Sequence, residues 1–183
     1  MRKKIVVATG VVVVAVGAYF LTGSVEKKEP IKIDAQEIKQ LVQEYSVGNI
    51  ENLSASITSK QLIVTGGEVD PLTYDLPENE FFVSIAPYIE GTHPCATHSL
   101  TGCQGEMVKQ EFSVNIEDME GNVILDQTMK SQSNGFIDLW LPHDKKYRIT
   151  IVHGGKSAES EISTFESDNT CITTMQLLGG KSA

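Results

Sequence analysis

Phe112-Ser113-Val114-Asn115-Ile116-Glu117-Asp118-Met119-Glu120-Gly121-Asn122-Val123-Ile124-Leu125 decides the fold. Apolar and polar residues alternate across Phe112–Ile116, the period of a strand with one covered face. Glu120-Gly121-Asn122 offers turn chemistry, and Val123-Ile124-Leu125 returns as a second strand. The rhythm continues toward the C-terminus. Ser133-Asn134-Gly135 turns before the apolar strand Phe136–Leu141, which Pro142 ends. Tyr147–Val152 and Ser157–Phe165 flank a tight turn at Gly154-Gly155, and Thr170–Leu178 reads as the last strand. Short strands at this spacing predict an antiparallel β-sandwich over 108–178.

Upstream the pattern differs. Asp34 is placed to cap a helix starting at Ala35, with Glu37 completing a capping box; Ile38, Leu41, Val42 and Tyr45 share one face, and the helix should end near Gly48. Ser54–Thr65 reads as one strand. Leu62-Ile63-Val64 and Leu72–Leu76 form a hairpin around Gly66–Pro71, and Phe81–Ile89 is a longer strand. The expected fold class is mainly β with one N-terminal helix (α+β). A helix on a small antiparallel sheet occupies 33–90, a loop 91–107 and the sandwich 108–178. The pattern D-x-x-G-N-V-x-x-D at Asp118–Asp126, followed by Asn134–Pro142, resembles transthyretin-like sandwiches, a likeness of fold alone.

The chain opens with Arg2-Lys3-Lys4 and an uncharged apolar run, Ile5–Leu21, at the short end of bilayer-crossing lengths. Residues 1–24 are expected to be a membrane anchor or signal helix, and 25–32 a charged linker. Basic residues ahead of the run stay in the cytoplasm, so the remainder is exported. It is membrane-anchored and facing outward, or periplasmic or secreted if the segment is cleaved. The chain carries a net charge of −9, which argues against nucleic acid and anionic lipid as partners.

The chemistry concentrates in the loop. His93, Cys95, His98 and Cys103 lie close together, stiffened by Pro94 and turned by Gly91, Gly102 and Gly105. Three cysteines in an exported chain is an odd number. A Cys95–Cys103 disulfide stapling a turn, with Cys171 an idle buried thiol, is one reading. The other brings Cys171, at the start of the terminal strand, beside the loop to make a three-sulfur site for a soft metal. Cu(I) accepts trigonal sulfur. Zinc ranks second, because it requires a fourth ligand that His93 or His98 could supply, and the cysteine spacing is not a zinc-finger one. Met175 is the best placed of the methionines, though methionine is usually core filler. His143 and His153 read as turn residues, Trp140 as core, and Glu106 as an acceptor for a ligating histidine. No G-x-S-x-G, H-E-x-x-H, P-loop or C-x-x-C motif occurs, so no enzyme is expected.

These residues also carry a resemblance. Glu80–Ile89, Thr92–Glu106, Asn134–Pro142, Ile162–Phe165 and Thr170–Thr174 resemble the CueP family of exported copper-binding proteins, from the first helix to Leu178. The resemblance implies copper ligation by Cys95, Cys103 and Cys171, assisted or tuned by His93 and His98. It implies a role in copper tolerance and delivery to exported cuproenzymes such as superoxide dismutase, hence a metallochaperone. Thiol-dependent reduction of Cu(II) or of protein disulfides, and a homodimer, are further implications. The apparent tether departs from the family and suggests a surface-held copper buffer.

Overall fold

The computed structural model describes residues 29–179 apart from Asn49, Glu68 and Val69. The anchor or signal expected over 1–24 lies outside the described residues, as does the linker up to Lys28. At the end of that linker Ile31 forms a bridge with Tyr74. No helix among the described residues is long and apolar enough to cross a membrane.

Helix α1 (Ala35–Val47) begins where the sequence places it. The Asp34 carboxylate accepts from the backbone N–H groups of Gln36 and Glu37, at 2.8 and 2.9 Å, satisfying two donors that the first turn leaves unpaired. Ile38 and Val42 are buried, with Leu41 and Tyr45 packed beside them.

The stretch Ser54–Thr65 is two strands, not one. β1 (Leu53–Ile57) and β2 (Gln61–Gly66) pair antiparallel across a turn at Thr58-Ser59-Lys60. The Thr58 hydroxyl accepts from the N–H groups of Lys60 and Gln61, a local bond that competes with strand extension. β2 then pairs with β3 (Leu72–Asp75) in the expected hairpin. Ala55, Ile57, Leu62 and Val64 face α1 and form one core with it.

β4 (Glu80–Ile85) stops before Ala86-Pro87, short of the Ile89 expected, because Pro87 has no N–H to continue a ladder. The sequence pattern grouped it with the helix-bearing sheet of 33–90. It pairs instead antiparallel with β8 (Ile137–Pro142) and parallel with β11 (Cys171–Ile172). Phe81, Val83 and Ile85 enter one core while Phe82 enters the other, against Trp140 at 5.2 Å between ring centroids. A strand covered on both faces reads as a continuous apolar run, so its alternation carries no face assignment.

A third, five-stranded sheet runs β12-β10-β9-β6-β7, made of β6 (Glu111–Asp118), β7 (Val123–Lys130), β9 (Lys146–His153), β10 (Lys156–Ser163) and β12 (Leu178–Gly179). Phe112, Val114 and Ile116 of β6 with Tyr147, Ile149 and Ile151 of β9 close over β4 and β8 as a sandwich. The terminal segment Thr170–Leu178 is not one strand. It leaves β11 on the β4 sheet and crosses to β12 on the other, burying Met175 and Leu177 on the way. The fold class is mainly β with one N-terminal helix.

Candidate metal centre

The loop after β4 is fixed at its start by Glu106. Its carboxylate accepts from the N–H groups of Gly91 at 2.8 Å, Glu90 at 2.9 Å and Ile89 at 3.3 Å. These bonds, that to Gly91 first, hold the Glu106 carboxyl below its usual range. Its partner is therefore backbone, not the ligating histidine expected. Thr92 donates its hydroxyl to the Thr173 carbonyl and ties the loop to the C-terminal segment.

Further on, β5 (His98–Ser99) adds to the edge of β1, with Ile57 opposite His98. The Thr170 hydroxyl accepts from the His98 N–H at 3.0 Å and donates to the Ile57 carbonyl at 2.6 Å. One residue on, the Cys171 N–H donates to the Ala96 carbonyl at 3.1 Å. The Ser99 carbonyl accepts from the N–H of Cys103 at 2.9 Å, and that turn swings Cys103 back over the loop. Gly135, at φ +82°, approaches Gly105 so closely that a Cβ there would sit 2.5 Å from the Gly105 carbonyl oxygen. This contact delivers Phe136, whose ring lies 4.5 Å from that of His98.

All five expected donors arrive together, as two overlapping triplets. One ring nitrogen of His93 and the sulfurs of Cys95 and Cys103 lie within 4.8 Å of one another; so do a ring nitrogen of His98 and the sulfurs of Cys103 and Cys171. The Cys95 and Cys103 sulfurs are 3.5 Å apart and the three thiols are free. His98, Cys103 and Cys171 are buried, whereas Cys95 is partly exposed.

The Cys103 thiol is lowered to about 2. A hydrogen bond from Cys171 is the main cause; burial opposes it, and His98, the Ser99 backbone and His93 add to it. Cys171 is correspondingly pushed up by its bond to Cys103 and by burial, and Cys95 is raised chiefly by burial. The three thiols thus favour one thiolate stabilised by its neighbours. His98 is fully buried, and neither ring nitrogen has a partner at full hydrogen-bond geometry, one of them facing the Cys103 and Cys171 sulfurs within 4.8 Å. A neutral imidazole carries one donor and one acceptor, and leaving both unmet in a dry site is costly. Sulfur and imidazole donors around an orphaned ring suit a soft or borderline cation such as copper.

The remaining candidates lie elsewhere. Met175 packs in the sandwich core, His143 stacks edge-on against Phe81, and the His153 ring contacts the Glu111 carbonyl and Phe112. A cavity of about 450 Å³ beside α1, lined by residues including Lys32, Lys60, Leu76 and His143, has no cysteine in its wall. Sequence reasoning missed Thr170 and Phe136 as shapers of the site. Both stand in segments dominated by strand pattern, where a polar anchor and a capping ring leave no periodic signal.

The family model for the periplasmic copper-binding protein CueP matches residues 36–176. The crystal structure of S.CueP is similar at a TM-score of 0.73 and 38% sequence identity, covering 77% of this chain and 88% of that one. No curated protein sequence matches.

Proposed function

Since the chain belongs to the CueP family of periplasmic copper-binding proteins, we propose that it sequesters Cu(I) outside the cytoplasm through Cys95, Cys103 and Cys171, with His93 and His98 as imidazole donors. The observation that carries this reading is His98, whose two orphaned ring nitrogens lie in a fully buried position beside the Cys103 and Cys171 sulfurs. Cu(I) is stable at low coordination number and takes thiolate and imidazole readily. It displaces thiol protons, and its positive charge offsets one of the thiolate charges it creates. Zinc is the weaker alternative, as it requires a closed four-ligand shell.

Held this way, copper is kept from uncontrolled redox chemistry, which supports copper tolerance. The partly exposed Cys95 and the neighbouring His93 give an outlet to an exported cuproenzyme such as superoxide dismutase. Residues 1–24 as an anchor would keep this buffer on the outward face of the cell membrane, and sedimentation tests a second copy of the chain as partner. The central test is titration of the reduced protein with Cu(I) against a competing chelator. One tightly held equivalent is expected, with affinity collapsing in the triple Cys→Ser variant; unchanged affinity there would overturn the reading.

A second reading is favoured by the 3.5 Å between the Cys95 and Cys103 sulfurs. Closing that pair to a disulfide releases two electrons, enough to reduce two Cu(II) ions or one protein disulfide. Repeated turnover with an added thiol reductant, beyond one stoichiometric burst, distinguishes a reductase from a buffer.

A further inference from the structure

The five donors fall into two triplets of mutually close ligand atoms. Each triplet is compact on its own, and Cys103 alone belongs to both. The triplets differ in surroundings: Cys103 and Cys171 pack among Ala86 and Phe136 with His98 fully buried, while Cys95 is partly exposed. They also hang on different supports. His93 and Cys95 ride on the loop held by Glu106 and by Thr92, whereas the His98 N–H is tied to β1 through the Thr170 hydroxyl and the Cys171 N–H donates to the Ala96 carbonyl.

We propose that the centre is a two-position relay, in which a soft cation is captured at an outer position by His93, Cys95 and Cys103 and then passes to an inner position made by Cys103, Cys171 and His98. The inference rests on the copper-binding reading and adds the order in which this chain's ligands act. The cation never leaves Cys103. Its bonds to the His93 nitrogen and the Cys95 sulfur break as bonds to the Cys171 sulfur and the His98 nitrogen form. The Cys171 thiol proton passes to the departing Cys95 thiolate, so charge is conserved and no electron moves. The inner position is the resting one because it satisfies the buried imidazole.

The relay is tested with Ag(I), a redox-inert soft cation, added at one equivalent to the reduced full chain in detergent with 15N-labelled histidine. In the wild type the His98 ring nitrogens should shift while those of His93 stay in place; in Cys171→Ser the pattern should reverse. Both rings shifting together in the wild type would mean a single shared site and overturn the relay, as would neither shifting. Failure of the wild type to bind Ag(I) or Cu(I) at all would overturn the copper reading itself, and the relay with it. Stopped-flow transfer of Cu(I) from bicinchoninate supplies a second readout. Cys95→Ser should slow capture by about tenfold with little change in affinity. Cys171→Ser should keep the capture rate and weaken affinity by about tenfold or more. Equal effects of the two variants on rate and affinity would overturn the order of steps.

Discussion

Cys103 is the residue on which both triplets depend, and its acidity has a direct consequence. The hydrogen bond from Cys171 lowers the Cys103 thiol from its ordinary value of 9.0 while Cys171 is raised, so the pair favours one negative charge at neutral pH. A lowered group stabilises the fold above its unfolded value, and that contribution fades as pH falls toward the folded one. The reduced apoprotein should therefore show one equivalent of thiolate absorbance near 240 nm at pH 6, absent in Cys103→Ser. A featureless spectrum at that pH would contradict the assignment. Glu106 follows the same sign: its clamp on the amides of Ile89, Glu90 and Gly91 is complete above its ordinary value of 4.5 and loosens as pH falls through the lower folded one. Hydrogen exchange of those three amides should be faster in Glu106→Gln at pH 7, and equal protection in the two proteins would remove the clamp. At this scale all five donors were named from the sequence, four because His93, Cys95, His98 and Cys103 sit in one short loop and Cys171 only because it opens the terminal strand. The approach of Cys171 to them is set by the Thr170 hydroxyl, which bonds His98 and Ile57, and by the Cys171 N–H donating to Ala96, to which no local spacing rule points.

Two elements position the site, β4 and the turn of chain around Thr170. β4 is the shared layer between the two cores, so damage to it reaches both. Phe82→Ala removes a fully buried ring from the helix-side core and should cost about 3–5 kcal/mol in denaturant unfolding, with metal affinity weakened through β11 on its flank. A loss below 1 kcal/mol would mean that the two layers are not coupled through this strand. Thr170→Val keeps the shape while deleting the acceptor for the His98 N–H and the donor to the Ile57 carbonyl. A loss of about 1–3 kcal/mol is expected, together with faster exchange at His98. The sandwich strands with one solvated face, Phe112–Ile116 among them, were legible because their alternation reports which face is covered. β4, covered twice, gave no such report. The division of Ser54–Thr65 hinges on a threonine hydroxyl bonded to its own backbone. The division of Thr170–Leu178 hinges on a crossing between sheets, a tertiary event invisible to a two-residue period.

For the whole molecule, the proposed ligands report on the fold. His93 to Cys103 come from the loop behind β4, Cys171 from β11, and they meet only when β4, β5 and β11 are in place. A cation gripped by both segments binds the native chain far better than the unfolded one, so binding is itself a term in stability. At a free cation concentration a hundredfold above the dissociation constant the gain is about 2.7 kcal/mol, which a scanning calorimeter reads as a rise in the midpoint of several degrees. The variants should divide this gain according to where the ion rests. Cys103→Ser, which breaks both triplets, should abolish the rise. Cys171→Ser leaves the cation on the loop alone and should retain only a small part, since a local site survives more unfolded conformations. Cys95→Ser should keep most of it, because the segments that the ion bridges in its inner position, His98–Cys103 and Cys171, are untouched. Falling pH should shrink the wild-type rise, since the ion must displace the proton of the Cys171 thiol, which is held upward. Equal rises in Cys171→Ser and the wild type would show that the ion never spans loop and terminal strand, and that copper is held by the loop without help from the rest of the fold.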